Sequence, residues 1–149
     1  MAVALDVPTP ERMRALGAAL GGAAEAGDRF LLEGPFGAGK TTFVQGLAEG
    51  LGVPTPVSSP SFVIENQYRG RLVLYHVDLY RLDSVERALW ESLEEHLFGE
   101  GVAAVEWAER LPDELRQGGT VVRFELTADG RRVEVVSPEA RLRSAFLAA

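Results

Sequence analysis

The stretch 33-EGPFGAGKTTFVQGL-47 decides how the rest of this sequence is read. Gly34 to Thr41 fit G-x-x-x-x-G-K-[ST], a glycine-rich turn whose backbone N–H groups can converge on a phosphate. Before it, 29-RFLLEG-34 is a short apolar run that reads as a buried strand. After it, Phe43, Val44, Leu47, Ala48 and Leu51 recur at helical spacing until Gly52 stops the pattern. Strand, turn and helix in that order put the positive end of the helix behind the phosphate. In such a motif Lys40 reaches the β- and γ-phosphates and the Thr41 hydroxyl ligates Mg²⁺.

Outward from this unit the elements alternate. Thr9-Pro10 cap and open a helix carrying Met13, Leu16 and Leu20. The segment 53-VPTPVSSPSF-62 is a loop, and its Ser58, Ser59 and Ser61 fall where nucleotide switch loops sit. Phe62, Ile64 and Tyr68 lead through the Arg69–Arg71 turn into 72-LVLYHVD-78, a hairpin. Asp83 or Ser84 caps a helix running to about His96, with Asp83 and Glu86 at capping-box spacing. Next, 101-GVAAVEW-107 is a buried strand ending on Glu106. A second hairpin, 120-TVVRFELTADGRRVEVV-136, turns at Asp129-Gly130, and Ser137-Pro138 open a last helix. The expected fold is one three-layer α/β domain of the P-loop NTPase type over residues 1–149, with a mixed, mainly parallel central sheet and antiparallel hairpins at its margins.

Turnover of a nucleotide needs a carboxylate near the metal and a group that positions the attacking oxygen. Two strand ends offer one. Glu106 closes its strand where open α/β sheets place ligands. Asp78 closes another, where it orients a water or instead caps the local turn; His76 shares its face by strand alternation.

Composition narrows the partners. The chain is 46% hydrophobic and 25% charged, has no cysteine and carries a net charge of −7. Disulfides, thiolate metal sites and cysteine nucleophiles are excluded. No signal peptide or membrane-length apolar run is present, so a cytoplasmic location is expected. An acidic chain without a basic stretch does not grip a phosphate backbone unaided, so any nucleic acid it serves would be met only through partners that hold it, with no DNA or membrane expected. There are fourteen arginines and one lysine, Lys40. Against that bias, the position calls for a compact ammonium rather than a planar fork.

Four motifs in order, 37-GAGKTTF-43, 59-SPSF-62, 76-HVDLYR-81 and 105-VEW-107, resemble the TsaE (YjeE) family. These are small bacterial P-loop ATPases required for making threonylcarbamoyladenosine in tRNA. The likeness runs from about residue 5 to about residue 136. It implies that Gly37, Ala38, Gly39, Lys40, Thr41 and Thr42 bind the phosphates of ATP, and that Thr41 and Glu106 hold Mg²⁺. Asp78 is implied to be needed for hydrolysis, with Lys40 and Glu106 completing the catalytic set. Trp107 matches the tryptophan of the V-E-W motif. The implied partners are TsaD and TsaB, whose complex the ATPase cycle resets between turnovers. Ser61 replaces the usual threonine, Pro35-Phe36 replaces a frequent Asp-Leu, and Met13 stands where a threonine often lies near the adenine. Arg132 corresponds to a family arginine near the nucleotide, with Arg131 as the alternative register. A small-metabolite kinase is the competing enzyme reading, though no lid-sized insertion carries arginines over the phosphates; a nucleotide-dependent binding module with little turnover is the other.

Overall fold

Period-two apolarity in the central strands splits the core into two layers. Phe30 and Leu32 face one side of the sheet and Leu31 the other; Val102 and Ala104 likewise oppose Ala103 and Val105. A computed structural model describes residues 1–58, 65–80 and 87–149. In chain order it contains β1 (Ala2–Val7), α1 (Pro10–Ala23), β2 (Arg29–Glu33), α2 (Lys40–Gly50), β3 (Glu65–Arg69), β4 (Val73–Asp78), α3 (Arg87–Leu97) and β5 (Val102–Glu106). A 3-10 turn at Ala108–Arg110 and the short α4 (Asp113–Arg116) follow, then β6 (Thr120–Thr127), β7 (Gly130–Val136) and α5 (Ala140–Ala148).

The sheet order is β1-β7-β6-β2-β5-β4-β3. β2 is parallel to both β5 and β6, and β4 is parallel to β5. The β3–β4 and β6–β7 hairpins are antiparallel, as is β1 on β7. This is the mixed sheet with marginal hairpins that the sequence predicts. The strand β1 is an addition: its partner β7 lies more than a hundred residues away, so no local turn signal announces it. The 59-SPSF-62 motif and the helix cap at Asp83 or Ser84 lie outside the described residues.

One core layer joins the sheet to α1, α2 and α5 through Leu16, Leu20, Phe43, Leu47, Leu142 and Phe146. The other packs Leu93, Leu97, Leu111 and Leu115 on the opposite face. Each fully buried leucine or phenylalanine contributes about 1.5–3 kcal/mol. Between α1 and α2 the backbones touch. A Cβ on Gly17 would lie 2.1 Å from the Phe43 carbonyl oxygen, and one on Gly46 would lie 2.0 Å from that of Arg14. Gly21 and Gly50 repeat the pattern against Leu47 and Ala18, each at 2.2 Å. Among the described residues no helix is long and apolar enough to cross a membrane.

Candidate functional site

The parallel strands β2, β4 and β5 all end at the loop that joins β2 to α2. Gly37 (φ 74°) and Gly39 (φ 103°) take left-handed backbone there, a conformation that favours glycine. Gly39 is the N-cap of α2, and no side chain caps that terminus. The first N–H groups of a helix have no intrahelical acceptor, so this end presents donors and positive potential to whatever lies before it. Arg131 braces the loop from β7, its Nε donating to the Gly37 carbonyl oxygen at 2.9 Å.

Lys40 is 5% exposed. Its ammonium donates to the Gly34 carbonyl oxygen and lies 3.7 Å from the centroid of the Trp107 ring. Burial pushes the Lys40 amine below the usual lysine range, against the raising effects of Glu109, Glu106 and Asp78. Trp107 is the only non-glycine residue with positive φ among the described residues (φ 58°). That turn at the end of β5 tips its indole over the loop. Phe36 and Tyr80 complete an aromatic cluster, with ring centroids 5.2 and 5.1 Å from Trp107 and 4.4 Å from each other. Arg110 donates to the carbonyl oxygens of Leu79 and Tyr80, at 3.2 and 2.6 Å, and ties that segment down.

Strand alternation brings the carboxylates together. Ala104 belongs to the α2-side core, so Glu106 two residues on faces α2, and Leu74 places His76 and Asp78 on that side by the same rule. Asp78 and Glu106 are register partners on β4 and β5. Thr41 Oγ1 lies 3.2 Å from Glu106 Oε1 and 3.4 Å from Oε2. His76 Nε2 lies 2.5 Å from Glu106 Oε2. Asp78 Oδ1 accepts from the Tyr80 N–H at 2.9 Å. Burial raises the Asp78 carboxyl pKa, with a smaller contribution from Glu106; the Tyr80 N–H, His76 and Lys40 oppose it.

The loop, Lys40, Thr41, Thr42, Asp78, Glu106 and Trp107 line one pocket. Behind the loop a second pocket is walled by Val7, Pro8, Met13, Gly130 and Arg131. Lys40, Thr41, Glu106 and Asp78, drawn from three separate segments of sequence, thus meet at one place. Arg132 does not join them: alternation on β7 sends it to Asp6, 3.8 Å away, while Arg131 reaches the loop. Met13 is buried, and its Cε would be 2.8 Å from a Cβ on Gly39. It supports the loop from beneath.

A hydroxyl and a carboxylate within hydrogen-bonding reach suit a hard cation such as Mg²⁺, which takes oxygen ligands. Among the described residues no group of three or more His, Cys, Asp or Glu side chains could hold a metal ion. Thr41 and Glu106 supply only part of a coordination shell, so such a cation fits when phosphate oxygens and water supply the rest.

Residues 7–134 match the family model described as "Threonylcarbamoyl adenosine biosynthesis protein TsaE". The tRNA threonylcarbamoyladenosine biosynthesis protein TsaE of Bacillus subtilis is 41% identical over 141 residues, covering 87% of this chain and 88% of that protein. The protein of the same name from Treponema pallidum is 41% identical over 116 residues, 78% of this chain and 86% of the relative. The crystal structure of Bacillus subtilis YdiB superposes with a TM-score of 0.75 at 32% identity, covering 97% of this chain and 91% of that one.

Proposed function

This chain belongs to the TsaE family, and from that premise we propose that it is the Mg²⁺-dependent ATPase subunit of the machinery that makes threonylcarbamoyladenosine in tRNA. One observation carries the nucleotide part of the reading. The uncapped α2 N-terminus, its two left-handed glycines, the sole lysine and the Thr41–Glu106 pair converge on one pocket.

The chain's own residues divide the work. Backbone N–H groups from Gly37 to Thr42 receive the phosphate oxygens. Lys40 leaves the Gly34 carbonyl and the Trp107 ring for the β- and γ-phosphates, exchanging a partly desolvated resting place for two anionic partners. Thr41 and Glu106 hold the cation. When bound, Mg²⁺ neutralises charge on the phosphates. Asp78, at the end of β4 beside Glu106, orients the attacking water; its N–H partner at Tyr80 fixes one oxygen and leaves the other for that task. The pocket of Val7, Pro8, Met13 and Arg131 takes the base. Hydrolysis resets the TsaD–TsaB complex between rounds of modification, and those partners complete a site that is slow alone, as partners do for other P-loop enzymes.

Phosphate release from ATP, measured for the chain alone and with TsaD plus TsaB, tests this reading with tRNA modification scored in the same reactions. Partners are expected to raise hydrolysis. Lys40→Ala and Asp78→Ala are expected to lower it by at least ~100-fold, the scale of lost transition-state electrostatics, and to stop modification after one turnover. Multiple-turnover modification that survives Lys40→Ala would falsify the resetting role.

A further inference from the structure

We propose that His76 is a positioning residue for Glu106, holding one carboxylate oxygen so that the other stays turned toward Thr41 and the cation. The inference rests on the magnesium-site reading above. His76 is fully buried and Glu106 is 3% exposed. His76 Nε2 meets Glu106 Oε2 at 2.5 Å, while Oε1 is the oxygen nearer the Thr41 hydroxyl, at 3.2 Å. His76 thus holds Oε2 alone, while the Thr41 hydroxyl lies across both oxygens, 3.4 Å from Oε2 and slightly nearer Oε1.

The register explains how the ring gets there. His76 is paired with Ala104 on β5, and Glu106 is the next residue on that face. The methyl of Ala104 leaves room for an imidazole to lean diagonally along the strand. His76 Nδ1 is buried and has no hydrogen-bond partner among the described residues. An apolar side chain would fill that space without stranding a polar nitrogen, so packing alone is a poor reason for a histidine here. The arrangement suits a ring with one N–H, on Nε2, donating to Oε2, while Nδ1 keeps its lone pair. The terminal torsion of a glutamate is broad. With Thr41 as its lone anchor the carboxylate would sample many orientations; the second donor removes that freedom before the cation arrives, as partners behind metal ligands do elsewhere.

The test compares ATP binding by calorimetry with Mg²⁺ and with EDTA; the ratio of the two affinities is the cation's contribution. His76→Leu and His76→Asn are expected to lower that contribution by about 10–100-fold, with binding in EDTA unchanged. His76→Gln restores much of it, because its amide nitrogen reaches the Nε2 position and the asparagine nitrogen does not. Retained binding in EDTA also reports that each variant is folded; should His76→Leu fail there, the Asn and Gln pair decides. Should the Leu and Asn variants keep the native ratio while Glu106→Gln loses it, His76 merely fills space and the proposal is overturned. Should Glu106→Gln also keep the native ratio, the magnesium-site reading fails and the positioning role falls with it.

Discussion

At the scale of single residues, the site holds ionisable groups where the fold disfavours their charged forms. Burial raises the Asp78 pKa, so the folded chain binds that proton more tightly than the unfolded chain does. The stabilisation is complete below the unfolded value near pH 4 and is lost as pH rises through the folded value. Asp78→Asn keeps the acceptor for the Tyr80 N–H and cannot ionise. Its Tm is therefore expected to exceed that of the native chain at pH 7, and the gap is expected to close below about pH 4. An equal gap in acid and at neutrality, from thermal melts, would show that ionisation is not the cause. Lys40, Thr41 and Glu106 were legible in sequence because a local motif and a strand end name them. Arg131 was not separable from Arg132, since adjacent strand residues face opposite ways and only the register with β1 tells which reaches the loop. Phe36 and Tyr80 joining Trp107 was invisible too, because the three come from separate loops.

At the scale of elements, the close approach of α1 and α2 fixes where the phosphate loop sits on the sheet. Glycines lower helix propensity, by roughly 1 kcal/mol each relative to alanine. Yet Gly46 and Gly17 sit inside helices because a Cβ would strike the facing backbone. Gly46→Ala gains propensity and loses packing. The net expectation is destabilisation by about 1–3 kcal/mol in urea melts, with no shift in the m-value. A variant as stable as the native chain would mean that the helices separate freely. Sequence periodicity found both helices, but it reads apolar side chains and is blind to a contact made by their absence. Likewise β1 escaped notice because an edge strand is defined by its distant partner β7 rather than by its own turns. The parallel strands were plain, since runs such as 102-VAAVE-106 are buried on both faces.

For the whole molecule, charge and topology act together. The sheet gathers the ends of β2, β4 and β5 at one edge of the domain, so the pocket opens where a partner can cover it. With a net charge of −7, the chain alone is expected to leave tRNA unshifted in a mobility gel at physiological salt, and to co-migrate with it once TsaD and TsaB are added. A shift by the chain alone would place a nucleic-acid surface on it and contradict the indirect role. Composition alone motivates this expectation, because net charge needs no folding to be read. Which surface meets which partner depends on shape, and residue order alone does not encode that locally.

The resting place of Lys40 has a practical consequence. It is the only side-chain amine in the sequence, and it sits covered against the Gly34 carbonyl and the Trp107 indole. A lysine acylation therefore has a single address, and the reagent must wait for the loop to release it. The growth of one modified peptide in a mass spectrum becomes a clock for loop opening. Its slowing under saturating nucleotide would time how long the phosphates stay gripped, with no engineered residue added to the chain.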